Sequence, residues 1–413
     1  MNIEILSIGD ELLTGFIVNG NAAWIGERLT RAGHRVRRVT VTGDRDEEIA
    51  GAFSEAVRRS QAVIATGGLG PTGDDRTRYA VAQILKCPLR FFPEYHDRIR
   101  KRFEERDMPL PESNRVQAEI PEQAEPIPNP VGTAPGIAFQ LGKVPCFVLP
   151  GVSAEMRVML TEWVLPRLQG SGPPEVFESR LLKTANISES GLQDRLHGFD
   201  SLFPGVRLAF LPRRAGVVLR LMVFAVSTEN ALRELDAAEE FLRKQAGGVI
   251  YGRDGEEIED VVGRLLLAKG WRVAVAESCT GGLIAHRLTR VPGSSRYFER
   301  GIVAYSNAAK MQHLGVPEEM IREYGAVSPE TARAMAEGIR NLSGADTGVS
   351  VTGIAGPEGG TPEKPVGLVY AGFADSTRVL VERHRFPGDR HLNQERSAVA
   401  ALDLVRRALG GMQ

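Results

Sequence analysis

The chain has 413 residues, of which 42% are hydrophobic and 25% are charged, a length and balance typical of a globular protein with two or three domains. Its 51 basic and 52 acidic side chains leave a formal net charge of -1, which excludes a global electrostatic attraction to nucleic acid or to an anionic membrane but leaves room for a local basic patch. No apolar run approaches the roughly 20 residues that span a bilayer, so a cytoplasmic protein is expected. The three cysteines Cys87, Cys146 and Cys279 are too scattered for a disulfide framework or a Cys-rich metal site, and reduced thiols are expected.

The first part of the chain alternates strand-like apolar runs with helical patterns. Strands are predicted at 3–8, 36–41, 62–66 and 144–149, and helices at 22–32, 47–60, from about 77, and at 154–168. This order predicts a three-layer α/β domain with a largely parallel sheet over residues 1–170. The proline-rich span 109–135 is predicted to be an ordered loop, and Gly170-Ser-Gly-Pro-Pro174 to be a domain boundary.

Two further units follow this boundary. Residues 175–250 predict a small α+β domain, with strands at 180–184, 206–211 and 217–225 and helices at 189–196 and 229–246. Residues 255–413 predict a second α/β domain, with helices at 257–269, 281–289, 329–342 and from about 393, and strands at 271–276, 347–352 and 366–373. The fold class is therefore α/β, with two three-layer domains joined by a small α+β domain.

Two strand ends in the first domain carry glycines and carboxylates. The segment Ala65-Thr-Gly-Gly-Leu-Gly-Pro-Thr-Gly-Asp-Asp-Arg-Thr77 lies between a predicted strand and a helix, where free backbone N–H groups favour a phosphate. Asp74 and Asp75 beside it suit a hard divalent cation that bridges to pyrophosphate oxygens. Asp10 and Glu11 end another strand at the same sheet edge and can face the same cleft. The alternative is that Asp74 and Asp75 only cap the following helix.

The strand-to-helix turn in Val273-Ala-Val-Ala-Glu-Ser-Cys-Thr-Gly-Gly-Leu-Ile-Ala-His-Arg-Leu288 places a hydroxyl beside backbone N–H groups that can hold an oxyanion. Ser278 needs a base, and His286 lies about 10 Å away along the predicted helix. Lys310 is a better candidate, because a partly desolvated lysine loses its proton near neutral pH. The alternative is that the hydroxyls only cap the helix.

Two later segments suit a phosphorylated substrate. Val351-Thr-Gly-Ile-Ala-Gly-Pro-Glu-Gly-Gly-Thr361 is a further glycine-rich loop at a strand end, and Arg390 offers a guanidinium fork that matches a phosphate. Together with the turn at Ser278 they predict a pocket for a phosphorylated substrate with an acyl or amide group. The alternative is that the glycines only form turns and that Arg390 only forms an ion pair at the surface.

The order of these segments resembles the CinA (competence/damage-inducible protein A) family over nearly the whole chain. In the first domain the resemblance rests on Ser7-Ile-Gly-Asp-Glu-Leu-Leu-Thr-Gly15, Thr66-Gly-Gly-Leu-Gly-Pro-Thr72 with Asp74-Asp75, Asn129-Pro-Val-Gly-Thr-Ala-Pro-Gly136 and Leu149-Pro-Gly-Val152. In the last domain it rests on Ala276-Glu-Ser-Cys-Thr-Gly-Gly282, Tyr305-Ser-Asn-Ala-Ala-Lys310, Gly325-Ala-Val-Ser328, Thr352-Gly-Ile-Ala-Gly-Pro357, Lys364-Pro-Val-Gly367 and Gly388-Asp-Arg390.

The resemblance implies an enzyme of pyridine-nucleotide salvage. The C-terminal domain would be a nicotinamide-nucleotide amidase, which hydrolyses the carboxamide of nicotinamide mononucleotide (NMN) to nicotinate mononucleotide and ammonia without a cofactor. The N-terminal domain, similar to molybdopterin-binding proteins, would be an ADP-ribose pyrophosphatase that uses a divalent metal ion, or alternatively a monovalent cation. A KH-like middle domain, a homodimer and small-molecule nucleotide ligands are also implied, with no membrane and no nucleic acid as partner.

The resemblance and the residue chemistry together assign roles. Ser278 is expected to be the nucleophile, Lys310 the proton shuttle and Thr280 the alternate nucleophile, with an oxyanion site at the N–H groups near Thr280 and Gly281; Cys279 is expected to be a buried neighbour. The expected substrate-binding residues are Glu277, Gly281, Gly282, Tyr305, Asn307, Thr352, Gly353 and Arg390. The expected nucleotide-binding residues of the first domain are Gly67, Gly68, Gly70, Thr72, Gly132 and Thr133, and its metal ligands are Asp10, Glu11, Asp74 and Asp75.

The chain departs from the family pattern at several positions. Arg76 and Tyr79 stand where the family has a hydrophobic residue and a glutamate, which predicts weaker metal binding and a slow or absent pyrophosphatase. Gln394 stands where the family has an arginine, and Arg396 is a candidate substitute. The family's Gly-Glu-Ser-Glu helix start appears here as Ile187-Ser-Glu-Ser-Gly191.

Two other functions stay open. The N-terminal domain is alternatively a non-catalytic pterin- or nucleotide-binding module. The whole protein is alternatively a competence or DNA-damage scaffold, but no Gly-x-x-Gly clamp lies between Arg180 and Gly248, which disfavours nucleic-acid binding by the KH-like domain.

Overall fold

The computed structural model describes residues 1–168 and 175–411. The predicted boundary at 170–174 lies outside the described residues. The chain forms two compact units, one built from Met1–Glu178 with Phe224–Ala231 and the other from Ser179–Val223 with the chain from Leu232 onward. Among the described helices, none combines the length and the apolar character required to cross a bilayer.

The first domain contains eight strands and six α-helices within residues 1–168. In chain order these are β1 (Asn2–Ile8), α1 (Asp10–Leu13), α2 (Gly20–Arg31), β2 (Arg35–Thr42), α3 (Asp46–Arg59), β3 (Ala62–Thr66), α4 (Thr77–Leu85), β4 (Leu89–Phe91), α5 (Pro93–Glu104), β5 (Glu119–Pro121), β6 (Glu125–Ile127), β7 (Gly136–Leu141), β8 (Val144–Leu149) and α6 (Ser153–Met159). A small antiparallel pair, β4 with β5, lies apart from the main sheet.

The main sheet of this domain has the strand order β2-β1-β3-β8-β7-β6. The first four strands are parallel, and β7 and β6 add antiparallel pairs at one edge. Ile3 and Ile5 pack in the core on one face of β1, whereas Leu6 and Ile8 pack in the core on the other. Both faces of the strand are therefore buried, as is usual where helices cover both sides of a parallel sheet. The predicted three-layer architecture is confirmed.

The proline-rich span is more structured than the predicted loop. It contains a 3-10 helix at Glu112–Ala118 and the short strands β5 and β6. The helix predicted at 154–168 is regular only to Met159 and continues as a π-helical turn (Leu160–Val164) and a 3-10 turn (Leu165–Arg167). Pro166 explains this change, because proline cannot donate the N–H that an α-helical turn needs.

The rest of the described chain contains nine strands and nine α-helices. They are β9 (Val176–Thr184), α7 (Glu189–Arg195), α8 (Phe199–Leu202), β10 (Val206–Arg213), β11 (Gly216–Ala225), α9 (Thr228–Ala246), β12 (Ile250–Arg253), α10 (Ile258–Lys269), β13 (Val273–Glu277), α11 (Leu283–Arg290), β14 (Phe298–Val303), α12 (Asn307–Leu314), α13 (Glu318–Tyr324), α14 (Pro329–Ser343), β15 (Thr347–Gly353), β16 (Leu368–Ala374), β17 (Val379–Arg385) and α15 (Arg390–Gly410).

These strands form two sheets. The small α+β domain has the order β10-β11-β9-β12, and the C-terminal domain has the order β14-β13-β15-β16-β17. In the C-terminal sheet β13 is parallel to β14 and β15, so the carboxyl ends of these three strands meet at one edge. Val273 and Val275 pack on one face of β13, and Ala274 and Ala276 pack on the other. This edge is where an open α/β sheet binds ligands.

Several elements of the C-terminal domain were not predicted, notably β14 and β17. Both are edge strands, and their sequences Phe298-Glu-Arg-Gly-Ile-Val303 and Val379-Leu-Val-Glu-Arg-His-Arg385 are rich in charge. An edge strand is paired on one side only and needs no continuous apolar run, so it leaves little signal in the sequence.

Candidate active site

The turn after β13 is held by backbone hydrogen bonds, one of them to β15, and by the carboxylate of Glu277. The Ser278 N–H donates to the Val351 carbonyl at 3.0 Å, and the Gly281 N–H donates to the Ser278 carbonyl at 3.1 Å. The Glu277 carboxylate is 1% exposed and accepts the N–H groups of Gly282, Ile284 and Ala285 at 3.0, 3.1 and 2.8 Å. Glu277, which we expected to bind substrate, therefore caps α11 and fixes the turn that carries Ser278.

Lys310 lies directly against Ser278. Its Nζ is 3.0 Å from the Ser278 Oγ, 2.9 Å from the Ala304 carbonyl oxygen and 3.2 Å from the Tyr305 carbonyl oxygen. The side chain is 1% exposed, and burial lowers the pKa of Lys310 from its usual value. The three oxygens suit an ammonium, which donates to all of them, and also a neutral amine, which donates to the two carbonyls and accepts from the serine hydroxyl. Burial favours the neutral form.

The neighbouring thiol and hydroxyl are placed differently. Burial raises the pKa of the Cys279 thiol to about 12, so it stays protonated and is a poor nucleophile. The Thr280 hydroxyl is buried without a hydrogen-bond partner among the described residues and does not line the cleft beside Ser278. Within the described residues the Cys279 and Thr280 N–H groups donate to no backbone carbonyl and are candidate oxyanion donors, whereas the Gly281 N–H, which we also expected there, is taken by the Ser278 carbonyl.

A cleft of about 270 Å³ opens beside Ser278 and Lys310. Of the expected substrate-binding residues, those that line it are Tyr305, Asn307, Thr352, Gly353 and Arg390. Glu277, Gly281 and Gly282 do not line it; the two glycines adopt positive φ angles of 63° and 100° and form the turn.

Arg390 stands at the first residue of α15, three residues before the predicted start of that helix. Its Nη1 donates to the Gly356 carbonyl and its Nη2 to the Tyr305 hydroxyl, both at 2.8 Å. The buried Asn393 donates to the Ala355 and Gly388 carbonyls at 3.0 and 2.9 Å. The start of α15 therefore ties together the loops that form the cleft.

Sequence reasoning missed two contacts of α15. Gln394 donates from Nε2 to the Cys279 carbonyl at 2.9 Å and so supports the turn at Ser278. Arg396, the candidate substitute for the family arginine, donates instead to the Arg214 carbonyl at 2.8 Å and does not line the cleft. The prediction that Arg396 takes the place of the family arginine is therefore wrong. The i, i+4 spacing of Arg390 and Gln394 on one helix face was the signal that could have identified Gln394.

The first domain has its own cleft, of about 570 Å³, at the carboxyl edge of its sheet. The predicted residues that line it are Glu11, Gly67, Gly68, Gly70, Asp74, Asp75 and Thr133. Asp10, Thr72 and Gly132 do not line it. Gln117, which the sequence did not suggest, is 4% exposed and lines the cleft.

Asp75 organises the glycine-rich loop. Its carboxylate accepts the Gly70 N–H at 2.8 Å, the Thr72 N–H at 2.9 Å and the Thr72 hydroxyl at 2.5 Å. The helix α4 begins at Thr77, and no side chain caps it. Asp75 is therefore neither a helix cap nor an uncommitted metal ligand.

The other carboxylates of this region are close enough to repel one another. The Asp10 N–H donates to Asp44 Oδ2 at 3.0 Å. Burial raises the pKa of Asp44, and the negative charges of Asp10, Glu11 and Asp74 raise it further. Within residues 1–168 and 175–411, no group of three or more His, Cys, Asp or Glu side chains is arranged to hold a metal ion.

Arg76 does not neutralise these carboxylates as we expected. Its Nε and Nη2 donate to the two oxygens of Asp46 at 2.9 and 2.7 Å, and its guanidinium lies 4.4 Å from the centre of the Tyr79 ring. The bidentate pair and the ring hold the cation on α3 and α4. The two residues that depart from the family pattern thus contact each other.

Comparison with known proteins places all three domains. Family models match for "Probable molybdopterin binding domain" at residues 4–170, "Damage-inducible protein CinA KH domain" at 179–252 and "CinA C-terminal domain" at 255–409. A CinA-like protein of Salinibacter ruber is 45% identical over 412 residues, which cover 99% of this chain and 100% of that protein. A CinA-like protein of Gemmatimonas aurantiaca is 44% identical over 99% of this chain and 96% of that protein.

Solved structures match over part of the chain. The crystal structure of competence/damage inducible protein CihA from Agrobacterium tumefaciens is 42% identical and covers 37% of this chain and 95% of that chain, with a TM-score of 0.36. The full-length identity to the curated relatives and the order of the three domain matches agree with the motifs found in the sequence. The chain therefore belongs to the CinA family, with a molybdopterin-binding-like domain, a KH-like domain and a CinA C-terminal domain in that order.

Proposed function

We propose that the C-terminal domain is an amidohydrolase that converts NMN to nicotinate mononucleotide and ammonia. The observation that carries the proposal is the 3.0 Å contact between the Lys310 Nζ and the Ser278 Oγ at the wall of a cleft. A serine with a buried lysine as its base is a known arrangement for acyl transfer. Burial lowers the pKa of Lys310, which favours the neutral amine that this chemistry needs.

The reaction proceeds in two halves. In the first, Lys310 takes the proton of Ser278 as the Oγ attacks the carboxamide carbon, and the N–H groups of Cys279 and Thr280 stabilise the oxyanion. The lysine returns the proton to the amide nitrogen, the C–N bond breaks and ammonia leaves. In the second half, Lys310 deprotonates a water that attacks the ester carbon, the C–Oγ bond breaks, and the lysine returns the proton to Oγ, which restores the Ser278 hydroxyl and frees the carboxylate product.

Arg390 supports a substrate that carries a phosphate. Its Nη1 is anchored on the Gly356 carbonyl, while its Nη2 contacts the hydroxyl of Tyr305, a cleft residue that is 58% exposed. A phosphate can take the place of the hydroxyl as acceptor, because a charged acceptor binds an arginine more strongly than a neutral one. The cleft then holds the phosphate at Arg390 and the amide at Ser278.

The test is ammonia release from NMN by the purified protein. Ser278→Ala and Lys310→Met should lose activity by at least about a hundredfold, whereas the matched variant Cys279→Ala should keep it, and a chelator should have no effect. Thr280→Val separates the two hydroxyls: retained activity is expected. Absence of ammonia from the wild type, or full activity of Ser278→Ala, would refute the proposal.

We also propose that the N-terminal domain hydrolyses the pyrophosphate of ADP-ribose with a divalent cation. A cleft of about 570 Å³ lies at the sheet edge, and its lining combines a glycine-rich loop with the carboxylates of Glu11 and Asp74. Two carboxylates fit a cation such as Mg²⁺, which keeps water and takes its other ligands from phosphate oxygens. The bound cation would polarise a phosphoryl oxygen. Glu11 and Asp74 would hold it, and the loop N–H groups would orient the phosphates.

Release of AMP from ADP-ribose tests this second activity. We expect release with added Mg²⁺, loss with a chelator, and loss in Glu11→Gln and Asp74→Asn, with Asp97→Asn as a matched control on α5. If ADP-ribose binds by calorimetry without AMP release, the domain is a non-catalytic nucleotide-binding module. If neither binding nor release is found, the cleft has a different ligand.

A further inference from the structure

We propose that the second compact unit carries another anion-binding site, separate from the cleft at Ser278, which takes a small nucleotide through its pyrophosphate. The site is a cavity of about 540 Å³ between the KH-like domain and the C-terminal domain. Its walls come from residues 186–189, 212–213 and 215–217 on one side and from 383–387 and 396 on the other. Both walls belong to the same compact unit.

The cavity concentrates positive charge that the protein does not neutralise. Four arginines line it: Arg213, Arg383, Arg385 and Arg396. Within the part of the chain that the structure describes, none of the four forms an ion pair, whereas Arg407 pairs with Glu382 of the same strand as Arg383. The lining contains one acidic side chain, Glu189. The like charges of these arginines repel one another in the free protein, and a bound anion reduces that repulsion.

The arginines are also oriented. Arg396 donates from Nε to the Arg214 carbonyl at 2.8 Å, which fixes the plane of its guanidinium and leaves its terminal N–H groups for a ligand. Arg383 and Arg385 are two residues apart on β17, so their side chains project to the same face of that strand. The strand is at the edge of its sheet, next to the cavity. The planar guanidinium of Arg396 and the two charges of Arg383 and Arg385 together match the two phosphate groups of a pyrophosphate better than they match one phosphate group.

His384 and Phe386 alternate with the two arginines along the chain, so their rings project to the opposite face of β17, and the cavity borders both faces of this edge strand. The rings of His384 and Phe386 are stacked, with centroids 5.5 Å apart and planes at 9°. Both residues line the cavity, and flat aromatic groups are the surfaces on which nucleobases stack. The volume lies within the range of small-molecule sites rather than that of an extended polymer groove. The combination indicates a nucleotide as the ligand.

Titration calorimetry of the full-length protein with ADP tests the site, with adenosine and inorganic pyrophosphate as the partial ligands. ADP should bind more tightly than either. The double variant Arg383→Gln/Arg385→Gln should weaken ADP binding at this site by at least about tenfold, since each charged hydrogen bond contributes strongly. Arg396→Lys, which keeps the charge but loses the fork, should also weaken it. Arg290→Gln, an exposed arginine of α11, is the matched control and should leave binding unchanged.

The outcomes separate this proposal from the amidohydrolase, because binding is measured without turnover. Unchanged ADP binding in the double variant would overturn it, and ADP would then be bound elsewhere, for example in the N-terminal cleft. An equal loss in Arg290→Gln would mean a general charge effect and would also overturn it. If a single-stranded oligonucleotide binds more tightly than ADP and the same variants lose that binding, the ligand of this site is nucleic acid, which would overturn the proposal of a small nucleotide. If the double variant does not fold, ADP binding is measured with the single variants Arg396→Lys and Arg385→Gln. Weaker binding in both supports the proposal, and unchanged binding in both overturns it.

Discussion

The rate of amide hydrolysis should follow the protonation of Lys310. This side chain is 1% exposed, and burial lowers its pKa from the usual 10.5. Because the neutral amine is the form that accepts the Ser278 proton, kcat/KM for NMN should rise with pH through the folded pKa of Lys310, in a window below 10.5. The measured acid limb of the profile then belongs to this lysine.

The size of the effect follows from the geometry. An amine 3.0 Å from the nucleophile acts as a general base, which contributes about 10²–10⁴-fold, or roughly 3–5 kcal/mol of transition-state stabilisation. Lys310→Met removes the amine and keeps an unbranched apolar side chain. Lys310→Arg keeps the positive charge but stays protonated throughout the accessible pH range. Both variants should therefore lose at least about a hundredfold in kcat/KM.

The free energy of unfolding should change over the same pH range. The folded protein binds fewer protons than the unfolded chain between the folded pKa of Lys310 and the usual 10.5, so the free energy of unfolding should rise with pH there. Below the folded pKa the cost of burying the ammonium is present in full. Steady-state kinetics and urea unfolding between about pH 6 and pH 10 measure both effects. Activity of Lys310→Met within tenfold of the wild type, or an unchanged acid limb in that variant, would refute the assignment.

Three further predictions concern single side chains. Glu277→Gln should lower the free energy of unfolding by about 1–3 kcal/mol in urea, because the charged acceptor of three backbone N–H groups is lost from a buried site; an unchanged midpoint would contradict its role as a cap. Asp75→Ala should weaken ADP-ribose binding by about tenfold in calorimetry, since the glycine-rich loop loses three hydrogen bonds; equal affinity would show that the loop holds its shape without it. Burial raises the pKa of Cys279 and of Cys146 to about 12, so native protein near neutral pH should react with a thiol reagent at Cys87 and at the other two only after unfolding; rapid native labelling of all three would contradict their burial.

The departures from the family pattern show how neighbours change the meaning of a residue. Arg76, read in the sequence as a cation beside the metal site, is held by Asp46 and the Tyr79 ring. Gln394, read as a lost arginine, supports the carbonyl of Cys279 instead. Asp46 and Cys279 are distant in the sequence from the residues they contact, so spacing alone does not reveal these two contacts.

The fold class and most elements follow from the sequence because buried strands leave a local pattern. Strands β3 and β8 match the predicted spans, since both are apolar at nearly every position and end at glycine or proline. The edge strands β14 and β17 were missed because their exposed charges hide the same pattern. The helix α5 was also missed.

For the candidate sites, the sequence by itself determined the chemical groups and the strand ends that carry them. The glycines and hydroxyl of the turn at Ser278, the Asp74-Asp75 pair and the order of the motifs are local properties, and they led to the family. Only the tertiary structure decided which groups meet. Lys310 reaches Ser278 across 32 positions because β13 and β14 are adjacent and parallel, so that their carboxyl ends share one edge. The folded structure likewise decided that Glu277 caps a helix, because a buried carboxylate must take the donors that surround it. It also turned the half-buried Asp75 towards the N–H groups of Gly70 and Thr72, which it accepts.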